Sequence, residues 1–165
     1  MAPVLSKETK HCEISLGKIP SGSSVVFKES AFFLRNRPGT SLPLPTEVRA
    51  KQIPGQHGPV PFESLNVLVK YGKEITIAEG QCLWALRNIL PFKVPVPEVY
   101  GWCEDNSEIF IYMELIKGVT LENKWESLSV QEKQTLCNQL RSMSSAMREL
   151  KQDPNDQFLG QRLVF

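Results

Sequence analysis

The feature that most constrains the fold is a strand pattern followed directly by a helix pattern. Residues 65–71, Leu-Asn-Val-Leu-Val-Lys-Tyr, show alternation and β-branched side chains, which together predict a strand. After Thr76, leucines recur at three- and four-residue steps as Leu83, Leu86 and Leu90, which predicts an amphipathic helix. We therefore expect an α+β fold in which a helix accompanies a small sheet.

Lys70 and Glu79 are the two charged residues of this stretch that suggest a specific chemistry. Lys70 lies near the end of the predicted strand, on the same face as Leu68, because side chains in a strand alternate with a period of two. Glu79 lies in the first turn of the predicted helix. By the pattern alone, Thr76 and Glu79 form a capping box at the helix N-terminus, and Lys70 is a solvated charge.

A β-hairpin is predicted after this helix. A turn rich in proline ends the helix, because proline disfavours helical geometry in the residue before it. Residues 99–103 and 109–114 then show two strand patterns. The polar residues 104–107 between them predict the connecting turn.

A long amphipathic helix is predicted over residues 130–150. Ser129 and Glu132 form a capping box, Ser-Val-Gln-Glu, at its start. Five apolar residues then follow at alternating four- and three-residue spacing: Leu136, Leu140, Met143, Met147 and Leu150. We expect this stripe to fold back on the sheet, to pair with a second copy of the chain in a coiled-coil-like homodimer, or to stay exposed.

By pattern the chain divides into three regions. Residues 1–59 form an N-terminal extension with short strands and a proline-rich connector, and two glycine-containing turns, 21–24 and 55–58, interrupt it. Residues 60–118 contain the strand, the helix and the hairpin. Residues 119–165 contain the trailing helix and a tail.

Composition and charge exclude several classes of function. With 165 residues, of which 41% are hydrophobic and 22% charged, the sequence is typical of one globular domain. A net charge of +1 predicts no nucleic-acid partner. No apolar run approaches the roughly 20 residues that span a bilayer, which predicts no membrane partner. Scattered cysteines, remote histidines and the absence of a signal-peptide pattern predict free thiols, no metal site and a cytoplasmic location.

Five segments of the chain, in order and in spacing, resemble the small lobe of the aminoglycoside-phosphotransferase family, and within it the fungal branch. They are 68–72 (Leu-Val-Lys-Tyr-Gly), 78–83 (Ala-Glu-Gly-Gln-Cys-Leu), 94–100 (Val-Pro-Val-Pro-Glu-Val-Tyr), 112–121 (Tyr-Met-Glu-Leu-Ile-Lys-Gly-Val-Thr-Leu) and 139–143 (Gln-Leu-Arg-Ser-Met). The resemblance implies a protein-kinase-like N-terminal lobe, a small antiparallel sheet plus one helix, followed by an amphipathic linker helix. It also implies transfer of a phosphoryl group from ATP, with Mg²⁺, to a hydroxyl of a small molecule.

The resemblance assigns the phosphate end of a nucleotide site to Lys70 and Glu79. In this fold a strand lysine holds the α- and β-phosphates, and a helix glutamate pairs with it. A flexible ammonium suits this task as a point charge. Neither glycine-containing turn, 21–24 or 55–58, matches the Gly-x-Gly-x-x-Gly pattern of a kinase phosphate loop. We expect each to be an ordinary surface turn.

The same resemblance assigns the adenine end of the site. Met113 would be the gatekeeper at the back of the adenine pocket. The carbonyl of Glu114 and the amide of Ile116 would hydrogen-bond the adenine edge. The side chains of Leu68 and Ile116 would sandwich the ring by apolar contact. In the alternative, this segment is a buried edge hairpin at which Gly118 simply turns the chain.

The sequence departs from the family where catalysis is concerned. The family takes its catalytic base and metal ligands from a His-Gly-Asp loop and later residues, whereas here His11 precedes Cys12 and His57 precedes Gly58-Pro. We therefore expect the C-terminal catalytic lobe to be absent, as in a truncated product. This chain alone should bind nucleotide weakly at most, without transfer. The alternative function is a non-catalytic interaction module that dimerises or docks through the 130–150 helix.

Overall fold

The computed structural model describes residues 13–14, 16–53, 55 and 58–152. Its strands are β1 (Glu13–Ile14), β2 (Ser24–Val26), β3 (Val60–Phe62), β4 (Val67–Gly72), β5 (Val99–Asp105), β6 (Glu108–Glu114) and β7 (Lys151–Gln152). Its helices are α1 (Ala31–Arg35), α2 (Pro45–Lys51), α3 (Ile77–Ile89), α4 (Leu121–Trp125) and α5 (Val130–Arg148), with 3-10 turns at Leu16–Lys18 and Glu63–Leu65. The α+β class expected from the sequence is confirmed.

A five-stranded antiparallel sheet, in the order β2-β5-β6-β4-β3, forms the centre of the protein. The predicted hairpin is present as β5 and β6, and its turn residues Asn106 and Ser107 both have positive φ (53° and 60°). Such a two-residue turn matches the right-handed twist of the paired strands. β4 lies beside β6 with Lys70 opposite Ile111. β1 and β7 form a separate parallel pair.

The sheet has apolar side chains on both faces, so helices cover it on both sides. The core under α1 and α2 consists of Phe32, Val48, Val60, Val67, Val69, Tyr100, Phe110 and Tyr112. The core under α3 consists of Phe27, Val99, Trp102, Ile111 and Met113, with Leu83 and Trp84 of the helix packed against it. Because successive side chains of a strand point to opposite faces, β6 contributes to both cores.

Residues 24–53, which the sequence assigned to an N-terminal extension, belong to the same folded unit as the sheet. β2 adds an edge strand beside β5, and α1 and α2 cover one face of the sheet. Gly101 in β5 allows the close approach of β2, since a Cβ there would lie 2.5 Å from the carbonyl oxygen of Val25. The expected boundary at residue 59 therefore does not separate two structural units. Three helices cover the sheet where one was expected, because both of its faces are apolar.

The predicted trailing helix is present as α5, and its capping box forms. The Glu132 amide donates to Ser129 Oγ (3.3 Å), and the Ser129 amide donates to the Glu132 carboxylate (2.8 Å). Among the residues of α5, all of them described, only Ala146 is buried, while Leu140 and Met147 are 51% and 42% exposed. The stripe therefore keeps part of its apolar surface in solvent. Within the described ranges, no helix combines the length and the apolar character needed to cross a bilayer.

Candidate functional site

Lys70 on the sheet and Glu79 on helix α3 form an ion pair, with 2.5 Å between Nζ and Oε1. Alternation along β4 places Lys70 on the same face as Leu68, which packs in the core under α3. α3 begins at Ile77, so its first turn brings Glu79 to this face. The two side chains are 38% and 37% exposed. The pair therefore lies at the rim of the helix–sheet interface and is open to solvent.

The start of α3 distinguishes the two interpretations of Glu79. Thr76 is the N-cap residue in extended conformation, but its side chain makes no capping hydrogen bond to any described residue. The Glu79 amide donates to the Thr76 carbonyl (3.0 Å), while the Glu79 carboxylate accepts from Lys70. The predicted ion pair is therefore confirmed, and the capping box at this helix does not form. An exposed pair of this kind contributes only about 0–1 kcal/mol to stability.

Leu68 and Met113 lie opposite each other in the β4–β6 ladder, on the face that α3 covers. Met113 is buried in the apolar core, and Leu68 is half-buried beside it. Ile116 lies beyond the end of β6 and is 63% exposed. The structure thus places Leu68, Lys70 and Met113 on one face of the sheet, with Met113 buried there, whereas the side chain of Ile116 is mostly in solvent.

The end of β6 is held by hydrogen bonds to both neighbouring segments. The Leu115 amide donates to the Asn66 carbonyl (3.2 Å), just beyond the last pair of the β4–β6 ladder. The Glu114 amide donates to the Glu98 carbonyl (2.8 Å), and the Glu98 amide donates to the Glu114 carboxylate (3.4 Å). The backbone at residues 114–115 is therefore fixed from two sides before the chain leaves the sheet.

The sheet order separates the two glycine-containing turns. The turn at 21–24 leads into β2, at the sheet edge opposite β3. Gly58 lies just before β3, the strand that pairs with β4, and continuation of that ladder from Val60 toward Gly58 runs toward Tyr71. By sheet order, Gly58 therefore lies nearer to Lys70 than the turn at 21–24 does. Gln56 and His57 lie outside the described residues.

Cys82 lies one turn after Glu79 on α3 and reaches the surface. Partial burial, together with the negative charge of Glu79, raises the pKa of the Cys82 thiol above its ordinary value. A raised pKa keeps the sulfur as a neutral thiol at pH 7, and the thiolate is the reactive form. The position of Cys82 therefore does not indicate a nucleophile.

A charged cluster that the sequence did not reveal lies on the opposite face of the sheet. Arg49 of α2 donates through Nη1 to the Asp105 carboxylate (2.6 Å) and through Nε to Glu108 (2.8 Å). Its guanidinium carbon lies 4.9 Å from the centre of the Phe110 ring. These contacts hold α2 on the β5–β6 hairpin. Arg49 and Asp105 are 56 positions apart, so no local pattern signals their contact.

An open groove of about 590 Å³ lies between α5 and the segment that follows α3. It is lined by Phe92, Lys93, Pro95, Thr135, Asn138, Gln139, Ser142 and Met143. A second cavity of about 570 Å³ shares Phe92 and Lys93 and extends toward Glu149, whose carboxylate lies 3.6 Å from Lys93 Nζ. Neither cavity is lined by Lys70 or Glu79, so both are separate from the Lys70–Glu79 pair.

Comparison of the chain with models of protein families, with curated proteins and with solved structures finds no match. Within the part of the chain that the structure describes, no group of three or more His, Cys, Asp or Glu side chains is arranged to hold a metal ion. The function is therefore inferred from the residues of this chain and their geometry.

Proposed function

We propose that this chain binds a nucleotide as the small lobe of an ATP-dependent small-molecule phosphotransferase that resembles the aminoglycoside phosphotransferases. The observation that carries the proposal is the ion pair between Lys70 and Glu79, which joins an inner strand of the sheet to a helix on its face. In protein kinases, a strand lysine and a helix glutamate make such a pair, and the pair must be in place for phosphoryl transfer.

The exposure of this pair favours a binding role over a structural one. At more than one third exposed, the pair adds about 0–1 kcal/mol to stability, which is little. An accessible ammonium attracts the negative charge of a phosphate group, and the carboxylate of Glu79 keeps the flexible lysine side chain in one position. Lys70 is therefore the residue that we assign to the α- and β-phosphates.

In the same proposal, the adenine ring lies against Leu68 with Met113 behind it. The Glu114 carbonyl and the Ile116 amide would then hydrogen-bond the edge of the ring. The hydrogen bonds that fix the backbone at residues 114–115 support this assignment, because a preformed edge loses little entropy when a ligand binds. Ile116, exposed in the ligand-free chain, would close over the ring.

For this chain the proposal covers nucleotide binding and no chemical step. ATP with Mg²⁺, and a small-molecule hydroxyl as phosphoryl acceptor, are the substrates that we propose for a full-length relative. The described residues offer no cluster that fits a metal ion, and the sequence contains no His-Gly-Asp. We therefore assign no transfer step to the residues of this chain.

Isothermal titration with a non-hydrolysable ATP analogue and with adenosine tests the proposal. We expect both ligands to bind. Lys70→Ala should weaken the affinity for the ATP analogue about tenfold, which corresponds to about 1.4 kcal/mol. Adenosine has no phosphate, so its affinity should not change. Lys73→Ala removes an exposed lysine three positions further on and should affect neither ligand. Equal losses for both ligands in Lys70→Ala, or no binding to the wild type, contradict the proposal.

A second candidate function is homodimerisation through α5. The observation that favours it is the exposure of Leu140 (51%) and Met147 (42%), although both lie in the amphipathic stripe of the helix. Two copies of α5 would cover these side chains by coiled-coil packing, since their four- and three-residue spacing is that of a heptad seam.

Size-exclusion chromatography with light scattering tests this second candidate. We expect a dimer for the wild type and a monomer for Leu140→Glu, because a carboxylate in the seam must lose its hydration on pairing. Gln131→Glu, on the far side of the helix from the stripe, should leave the dimer intact. A monomeric wild type rules the dimer out.

A further inference from the structure

We propose that Glu98 is a positioning residue that fixes the backbone edge at Glu114 relative to helices α1 and α3. The inference rests on the proposed function, because that edge is the one proposed to hydrogen-bond the adenine ring. It concerns a residue outside the nucleotide contacts assigned above.

The carboxylate of Glu98 joins two helices that lie on opposite faces of the sheet. Its side chain is only 18% exposed. Oε1 accepts a hydrogen bond from the Ala31 amide at the start of α1 (3.2 Å). Oε2 lies 3.7 Å from Nη2 of Arg87 in the last turn of α3. The side chain of Glu98 is therefore held from both sides of the sheet.

The main chain of Glu98 in turn holds Glu114. The Glu98 carbonyl accepts from the Glu114 amide (2.8 Å), and the Glu98 amide donates to the Glu114 carboxylate (3.4 Å). Directly after Glu98, the register of the β5–β6 ladder shifts between Val99 and Gly101. Regular strand pairing is thus interrupted at this point. Here the contacts of the Glu98 carboxylate hold the main chain in position, because strand pairing is irregular at this point.

Helix α3 is therefore tied to the sheet near both of its ends. Glu79 in the first turn of α3 binds Lys70, and Arg87 in the last turn faces Glu98. Glu79 and Arg87 are eight positions apart on the helix, a rise of about 12 Å. Through α3, the residue proposed for the phosphates and the edge proposed for adenine share one rigid element. Loss of the Glu98 carboxylate should loosen the adenine edge and leave the Lys70–Glu79 pair in place.

Three substitutions separate the contacts of Glu98. Glu98→Gln keeps an oxygen that accepts from Ala31 and removes the charge that faces Arg87. Arg87→Met removes the other half of that ion pair. Ala31→Pro removes the donated amide at the first position of α1, where proline is tolerated. Ser30 already has the extended conformation (φ −68°, ψ 157°) that proline requires of the residue before it.

Two measurements test the inference: the affinity for adenosine and the hydrogen-exchange rate of the Glu114 amide. We expect Glu98→Gln to weaken the binding of adenosine and of the ATP analogue by the same factor, up to about fivefold, or about 1 kcal/mol. Exchange at Glu114 should accelerate by a similar factor, while the urea midpoint changes little. Glu63→Gln, which neutralises an exposed carboxylate, is the matched control and should change none of these.

The outcomes distinguish this inference from the proposed function. Unchanged adenosine affinity and unchanged exchange at Glu114 in Glu98→Gln overturn the inference and leave nucleotide binding standing. If the wild type binds neither ligand, the proposed function fails, and exchange at Glu114 alone decides the role of Glu98. If Glu98→Gln does not fold, Arg87→Met and Ala31→Pro must give the same accelerated exchange at Glu114, or the inference is wrong.

Discussion

Gly80 of α3 lies directly against the indole of Trp102 in β5, so closely that a Cβ at Gly80 would stand 3.0 Å from Cε3 of the ring. Trp102 has little freedom to move away. It is 1% exposed, packs edge-on against Phe27 (5.4 Å between ring centres) and donates through Nε1 to the Gly22 carbonyl (3.0 Å). This contact sets the height of α3 above the sheet, and with it the position of Glu79.

Gly80→Ala should destabilise the protein, although alanine is the better helix former by about 1 kcal/mol. The added methyl has no space beside Trp102, and overpacking of a buried site typically costs about 1–3 kcal/mol. A lower urea midpoint is the expected result. In a Trp102→Phe background the smaller ring leaves room, so the same substitution should cost less. A higher midpoint for Gly80→Ala in the wild-type background contradicts the prediction.

Gly101→Ala should detach β2 from the sheet. The atom 2.5 Å from a Cβ at Gly101 is the carbonyl oxygen of Val25, which belongs to the backbone and cannot rotate out of the way. We expect a loss of about 2 kcal/mol or more in the free energy of unfolding, measured by urea denaturation. Gly58→Ala is the matched control, since among the described residues, its chain neighbours aside, no heavy atom lies within 4 Å of a Cβ there. Equal effects at the two glycines would count against the steric explanation.

Arg49→Lys should lower the urea midpoint even though the positive charge is kept. The planar guanidinium donates hydrogen bonds to Asp105 and Glu108 at the same time through two different nitrogens. An ammonium has a single nitrogen and cannot reproduce this geometry. Arg49→Ala should lower the midpoint further. Arg141→Lys, on the exposed surface of α5, should have no effect. An unchanged midpoint in Arg49→Lys would show that charge alone holds α2 on the hairpin.

The protonation of Arg49 should not contribute to any pH dependence of stability. The hydrogen bonds to Asp105 and then Glu108 raise the pKa of Arg49 above its ordinary value, so the guanidinium stays charged through the accessible range. The midpoint difference between wild type and Arg49→Ala should therefore persist at alkaline pH, up to about pH 10, where lysine begins to titrate. Loss of that difference between about pH 8 and pH 10 contradicts this assignment.

Glu132 should make the start of α5 sensitive to acid. Hydrogen bonds from the side chain and then the backbone of Ser129 lower the pKa of Glu132 below its ordinary value. Because the folded pKa is the lower one, the stabilisation is fully present above the unfolded pKa and is lost as the pH falls through the folded pKa. NMR titration of the Glu132 carboxyl should show the lowered pKa, and Ser129→Ala should return it toward the ordinary value. An unchanged pKa in Ser129→Ala would contradict the capping contact.

The sequence predicted the main elements of the site and left two partners open for Glu79, Lys70 and the helix cap. The strand expected at 65–71 is β4 at Val67–Gly72, and the capping box at Ser129 forms. The same four-residue pattern at Thr76 offered a cap as the alternative to the ion pair, and that cap is not made, because Lys70 binds the Glu79 carboxylate instead. A capping motif depends on four adjacent residues, but whether it forms depends on which competing partner lies nearby in the fold.

By itself the sequence determined where β4, α3, the β5–β6 hairpin and α5 lie, because periodicity, turns and caps depend on residues only a few positions apart. It also determined that Lys70 and Leu68 share a face of β4. Only the tertiary structure decided that residues 24–53 build part of the sheet domain, and that Glu98 joins α1 to α3. These contacts join residues tens of positions apart, and they depend on how apolar faces pack, which no short pattern encodes.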